Sequence, residues 1–486
     1  MKKLWIIMII AITAASCSGG NTTLAPASSF TLTSAGNDVY VLSKQWGIVT
    51  RIDMTTLGLT TYNVGVGASM VLPASGSVAV LNPSTDTVYI INGSVVKKTI
   101  ADHLNDMVIS SDGSHAVVFH NYIPGEEANF NGVLVFNTFS VVNLTTTTDD
   151  TDTLSIGGGA PQEVAFTPDG SRFIVISRNK CFVVPTTAPS DSNFIELWPD
   201  PSKVVVPDQV SITPQGDIAL IRSYAENAVY IVNLLTPSIM NVLTESGPTQ
   251  VEIYPDGENG LIVDQGSNSV SVLSFDHSAM SVSEQPVDVS TPVDAAATSF
   301  SCTGACTLST ATYSALLYSP TSSSEAITYL MVRNGIIRTT VYGGLAQPVH
   351  AIAFAPDDPV IALIMHRATS LPNAAYPMSI INVDTQDVNL FYIESAPSSV
   401  TFAENQAGHE IVFMTLNSQN ELVYYDITSG LSGSLALPAL PDFMGISNGT
   451  LFISHDQPLG FLTLLDINSF RLRFVSGFNV YKLFDR

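Results

Sequence analysis

Ten times along this chain an apolar run meets a turn built from Gly, Asp or Asn and re-emerges as a second apolar run. The clearest copies are Val164-Ala-Phe-Thr-Pro-Asp-Gly170 and Val251-Glu-Ile-Tyr-Pro-Asp-Gly257. Aligned on their turns, the copies begin at Phe30, Met70, Met107, Val164, Val210, Val251, Val293, Ile352, Val400 and Phe443. Most are spaced about 37 to 57 residues apart, near the period of stacked β-repeat units. A unit repeated this often is scaffold, so function must be sought in what the copies do not share.

Each unit continues with two further strand-like runs, as in Asn227-Ala-Val-Tyr-Ile-Val-Asn233 followed by Ile239 to Leu243. Four short strands at this period are the signature of a propeller blade. Runs such as Phe173-Ile-Val-Ile176 and Ile218-Ala-Leu-Ile221 are apolar at every position, which suits sheets packed on both faces. The expected fold is therefore an all-β propeller of four-stranded blades, with 8–10 blades in one ring. Two smaller tandem rings are the alternative, and an array of sandwich domains the runner-up. The least regular unit spans Val293 to Tyr342, where a two-cysteine segment replaces the turn.

The segments Gly159-Ala-Pro-Gln-Glu-Val-Ala-Phe-Thr-Pro-Asp-Gly170 and Gly247-Pro-Thr-Gln-Val-Glu-Ile-Tyr-Pro-Asp-Gly257 resemble the repeat of the YVTN propellers, as does Ser267-Asn-Ser-Val-Ser-Val-Leu273 after the second. These are the surface-layer and lactonase-like group of exported bacterial β-propellers. The resemblance covers most of the chain after residue 28 but is strong in two or three units. Elsewhere the Pro-Asp-Gly turn is replaced, as by Ser111-Asp-Gly113 and Ser447-Asn-Gly449. It implies a fold and an exported habitat, because members of that group do not share one activity.

The N-terminus points the same way. Lys2 and Lys3 precede an apolar run from Leu4 to Ala15, too short to span a bilayer and shaped like a secretory signal. Ala14-Ala15-Ser16-Cys17 resembles the bacterial lipobox, although Ala14 stands where Leu is usual. The resemblance implies lipidation of Cys17, and Ser18 rather than Asp after it implies the outer membrane. The alternative is an ordinary signal cleaved near Ser16. The organisation is then a signal peptide over 1–16, a flexible tether over 17–28 and the propeller over 29–486. A formal charge of −24, from 42 acidic against 18 basic residues, argues against a nucleic-acid partner.

Cys302-Thr-Gly-Ala-Cys306 can close on itself around its glycine, and an exported protein would oxidise the pair to a loop-stapling disulfide. Cys181, inside an apolar strand, reads as a small buried hydrophobe. No metal is expected. His115 and His120 end one strand and lie too far apart to share zinc, and the Asp149-Asp-Thr-Asp152 loop lacks the glycine and distal glutamate of a calcium loop.

Strand direction narrows the search for a site. Residues before each first strand and after each second strand meet at the rim opposite the turns, around the channel mouth. Asp106, Glu163, Asp208, His350 and Asp442 fall in the first group. Lys44, His120, Arg178, Arg222, Asp264, His366, Arg367, His455 and Asp456 fall in the second. The candidate ligand-binding set is His120, Arg178, Arg222, His350, His366, Arg367, His455 and Asp456, facing an anionic or sugar-like ligand. The alternative is that these side chains pair with carboxylates between blades. Two insertions, Asn121 to Asn131 and Ala368 to Pro377, with Trp46, add aromatic and polar groups to that rim.

Two functions are compatible with this pattern. One is a non-catalytic binding or scaffolding lipoprotein of the cell envelope, taking a protein or glycan partner, touching the membrane through its lipid alone and needing no cofactor. The other is a lactonase-like hydrolase using His366 with Arg367, or His120 with Arg178, as base and charge stabiliser. Gly445-Ile-Ser-Asn-Gly449 is not a nucleophile elbow, because a strand rather than a helix follows it.

Overall fold

The recurring turn is a tight four-residue reversal. In the computed structural model, Gly170 N–H donates to the Thr167 carbonyl at 2.8 Å, Gly216 to Thr213 at 2.8 Å, Gly257 to Tyr254 at 2.9 Å and Gly113 to Ser110 at 2.8 Å. Pro at the second position and Gly at the fourth suit this geometry. Gly113 shows why the last residue is glycine: its φ is 71°, and a Cβ there would lie 2.2 Å from the Ser75 nitrogen of the preceding blade.

The structure describes residues 30–477, apart from 122–136, 158–159, 178–179, 191–192, 198–206, 245, 303–305, 307–309, 357, 369–374, 418, 456 and 458–459. Residues 1–28, where a signal peptide, Cys17 and a tether are expected, lie outside the described residues, as do Arg178, Asp456 and most of both rim insertions. The described residues form forty strands in ten four-stranded antiparallel sheets, with no helix among them. Blades 1 to 10 span 30–63, 70–99, 106–155, 163–196, 209–244, 248–288, 295–342, 349–393, 397–436 and 441–476. All ten units read from the sequence are blades. The irregular seventh is complete, with its first strand at Ala295–Cys302, two residues beyond the expected start.

Burial follows position in the blade. The second and third strands are enclosed on both faces, as in Ile218–Ser223 and Ala228–Asn233, which accounts for their unbroken apolar runs. First strands are half-buried along the channel, and fourth strands, such as Val388–Ile393, form exposed outer edges.

The core is divided into ten hydrophobic clusters, each lying between two neighbouring blades. The cluster joining Val39, Val41, Ile52 and Met54 of blade 1 to Phe452, Leu462 and Leu464 of blade 10 closes one ring. No strand is exchanged at this junction, since each sheet is continuous in sequence. Polar ties reinforce it: Asn448 Nδ2 donates to the Gly36 carbonyl at 2.8 Å, and Arg473 donates to the carbonyls of Met54 at 2.7 Å and Thr55 at 3.3 Å.

Elsewhere the turns themselves hold neighbours together. Ser75 N–H donates to the Gly113 carbonyl at 3.1 Å, Ser111 Oγ to the Pro168 carbonyl, and Gln215 Nε2 to the Asp256 carbonyl at 2.7 Å. Tyr313 Oη donates to Asp256 Oδ2 at 2.6 Å. Along the channel, Gln209 clamps blade 6 by accepting from Val251 N–H at 2.9 Å and donating to its carbonyl at 2.7 Å. Gln250 does the same to Ala296 of blade 7, at 2.8 and 2.9 Å. Each clamp satisfies an inner edge that has no strand beside it. His277 ties blade 6 to blade 5 through Asp217 at 2.8 Å.

Cys302 and Cys306 are disulfide-bonded, with Cα atoms 5.5 Å apart. Cys181 is buried and free, and burial pushes its thiol up to about 12, which leaves it unreactive.

Candidate functional site

At the end of the second strand, three blades carry a histidine in one recurring arrangement. His366 is fully buried: its Nδ1–H donates to the Gln347 carbonyl at 2.8 Å, and its Nε2 accepts from Ser379 Oγ at 2.8 Å. His455 is held alike, Nδ1 by the carbonyls of Ala439 and Leu440 at 2.9 and 3.2 Å, and Nε2 by Thr463 Oγ1 at 2.7 Å. His120, also buried, places Nδ1 2.6 Å from the His103 carbonyl. A carbonyl can only accept, so in His366 and His455 it fixes the proton on Nδ1. Burial pushes the pKa of both rings below the ordinary imidazole value, and the hydrogen bonds to carbonyls offset part of that shift. His366 and His455 each pin the loop that enters their own blade to the third strand.

The rim arginines are also engaged with backbone. Arg222 pairs with Asp208 at 2.6 Å and donates to the Thr249 carbonyl of blade 6, while Arg367 donates to the Pro320 carbonyl of blade 7. Arg222 thus pairs with a carboxylate of its own blade rather than one between blades, and its interblade link runs to a backbone carbonyl. The pair His366 and Arg367 does not converge on open space: the ring is enclosed within blade 8, and the guanidinium reaches toward blade 7.

What the mouth does present is set by β-bulges, which the sequence did not reveal even where it placed the residues at the rim. The first strands of blades 6, 8, 9 and 10 each carry one extra residue near the mouth, at Thr249, His350, Ser398 and Asp442. A β-bulge of this kind re-aims a side chain and is favoured beside functional sites. His350, Ser398 and Asp442 are exposed and occupy three consecutive blades. Ser398 Oγ lies 2.9 Å from Thr415 Oγ1, which steadies it. The bulges supply a base, a hydroxyl and a carboxylate along one arc of the mouth. Among the described residues of the candidate ligand-binding set, His350 joins this exposed arc, and Asp442, read from the sequence as a rim position, joins it too.

At the opposite face, a cleft of about 480 Å³ separates the first strands of blades 2 and 3 near the tied turns. Its one carboxylate, Asp112, accepts from the hydroxyls of Ser110 at 2.6 Å and Ser114 at 2.8 Å. Among the described residues no three His, Cys, Asp or Glu side chains converge as a metal site would require. The Thr-rich segment just before Asp149 meets an ammonium group: the buried Lys98 of blade 2 donates to Thr146 Oγ1 at 2.7 Å and to the Thr148 carbonyl. Burial lowers the Lys98 pKa, while Asp150 and Asp149 counter that shift.

No protein-family model matches this chain, and no curated protein matches its sequence. Its backbone is similar to several solved structures at low identity. Dihydro-heme d1 dehydrogenase NirN in complex with DHE has 8% identity and a TM-score of 0.46, over 93% of this chain and 76% of that one. Saccharomyces cerevisiae Sqt1 has 10% identity and a TM-score of 0.43, over 65% and 84%. The Dos1 propeller has 9% identity and a TM-score of 0.44, over 65% and 82%.

Proposed function

We propose that this protein is a binding or scaffolding module of the bacterial cell envelope, held at the outer membrane by a lipid on Cys17. The protein or glycan partner sits over the channel mouth along blades 8 to 10. The observation that carries this reading is a contrast in exposure at the mouth: His366 and His455 are buried within their blades, whereas bulges place His350, Ser398 and Asp442 at exposed positions. Polar side chains on a rigid rim suit recognition of a hydroxyl- or amide-rich surface. The lactonase-like alternative requires a base and a charge stabiliser near one carbonyl. The inward direction of His366 gives it no support at that residue.

Two readouts test this proposal. Palmitate labelling and membrane fractionation of cells expressing the whole chain should show Cys17→Ser moving the protein from the membrane to the soluble fraction. Affinity capture from envelope extract should recover a partner with the wild-type chain, and at least about tenfold less with His350→Ala/Asp442→Ala. Equal recovery by the two would remove the mouth as the binding face.

A further inference from the structure

His277 follows the third strand of blade 6, Ser269–Asp276, and its ring reaches the seam with blade 5 at the turn face. Nδ1 lies 2.8 Å from Oδ2 and 3.0 Å from Oδ1 of Asp217, a buried carboxylate just after the first turn of blade 5. Nε2 lies 3.0 Å from the Gly257 carbonyl, in the Pro-Asp-Gly turn of blade 6. A carbonyl only accepts, so Nε2 carries a proton. Asp217 Oδ1 accepts from Thr213 Oγ1 at 2.8 Å, as an ionised carboxylate does. With Asp217 ionised, both ring nitrogens donate, and the ring is an imidazolium.

His366 and His455 differ on this point. Each meets a hydroxyl at Nε2, which can donate to a neutral ring. His277 has no such adaptable partner. The charged groups around it are all acidic: Asp217 from blade 5, and Glu258 and Asp276 from blade 6. Asp276 is engaged in its own turn, where Oδ1 accepts from the N–H groups of Ser278 and Ala279 at 3.0 and 2.9 Å. The Phe275 ring stacks on the imidazole, with centroids 6.4 Å apart. Burial disfavours the charged ring, but the hydrogen bonds to Asp217 and Gly257 and the charges of Asp217 and Glu258 outweigh it. The pKa therefore lies above the ordinary imidazole value.

We propose that His277 is a proton-gated clamp between blades 5 and 6, linking Asp217 to the Gly257 turn when charged and forfeiting one of the two links when neutral. A neutral ring keeps one proton, so the lone pair on its other nitrogen must face an acceptor, either the carboxylate or the carbonyl. The clamp is fully formed below the unfolded imidazole value of about 6.5 and is lost as pH rises through the higher folded value. Gln215 still donates to the Asp256 carbonyl across the same seam at 2.7 Å, so the seam loosens rather than opens. The clamp is remote from the mouth and independent of the binding reading.

A histidine-selective carbon-13 NMR titration of the full mature chain reads the ring directly, the His277 signal being the one lost in His277→Gln. Its midpoint should lie above 6.5, and Asp217→Asn should lower it by about one pH unit or more. Should His277→Gln fail to fold, the same signal is identified as the one that Asp217→Asn displaces. Melting temperatures give a second readout: the advantage of the wild-type chain over His277→Gln should be larger at pH 6 than at pH 9. A ring that served only as packing would give the same advantage at both. A His277 midpoint at or below 6.5, no histidine signal displaced by Asp217→Asn, or an equal melting advantage at the two pH values would overturn the clamp.

Discussion

A histidine at the end of a second strand is defined by what lies across from it. The residue two positions before His366 is Ile364, paired with Ser379. The corresponding residue before His455 is Ile453, paired with Thr463. A hydroxyl at that cross-strand position gives Nε2 a buried partner and turns the ring inward. Removing the ring strands two buried polar groups, so His366→Ala should cost about 3 kcal/mol at pH 8, from ~1–3 kcal/mol for each orphaned group. The cost should shrink at pH 5. The folded-state pKa of His366 lies below its unfolded value of about 6.5, so wild-type stability falls as pH drops from about 6.5 toward the depressed value. The variant lacks that penalty. Urea midpoints at the two pH values measure both effects, and an undiminished cost at pH 5 would contradict the neutral-ring assignment. Position at the rim was legible in the sequence for His120, His366 and His455. Direction was not, because it depends on a Ser or Thr thirteen residues away in blade 8 and eight in blade 10.

Among elements, the inner strands are the least obvious. Their apolar character is modest, and their channel edges lack a neighbouring strand, so their order rests on side chains reaching across from the preceding blade. Gln209 and Gln250 occupy the same place relative to the Gly turn, seven residues before Gly216 and Gly257. Each closes two hydrogen bonds on the next blade. Gln209→Leu should leave Val251 N–H without its partner and selectively raise its exchange rate. Amide hydrogen exchange should show lost protection at Val251 with little change at Ala296, where Gln250 still binds. Loss at both positions would mean that the clamps act only through global stability. The Pro-Asp-Gly turns were the most legible elements, and they proved to be ties between blades. The mouth bulges were invisible because an extra residue in one strand leaves the apolar pattern of a short run almost unchanged.

For the whole molecule, the repeat gave the blades, but closure was not written in any one of them. Whether ten units form one ring or two depends on contacts between the first and last blades, separated in sequence by about 400 residues. Here each blade is built from consecutive strands, and the junction relies on the cluster around Val39, Met54 and Phe452 together with Arg473 and Asn448. A single ten-blade ring also sets the width of the mouth on which the binding proposal rests. Energy transfer between dyes on Thr55→Cys in blade 1 and Ser469→Cys in blade 10 tests it directly, in a mature chain carrying Cys17→Ser. Arg473 reaches the Thr55 carbonyl at 3.3 Å, so the one-ring structure predicts near-complete transfer that is lost on unfolding. Weak transfer in the folded protein would contradict a closed ring and place blades 1 and 10 apart.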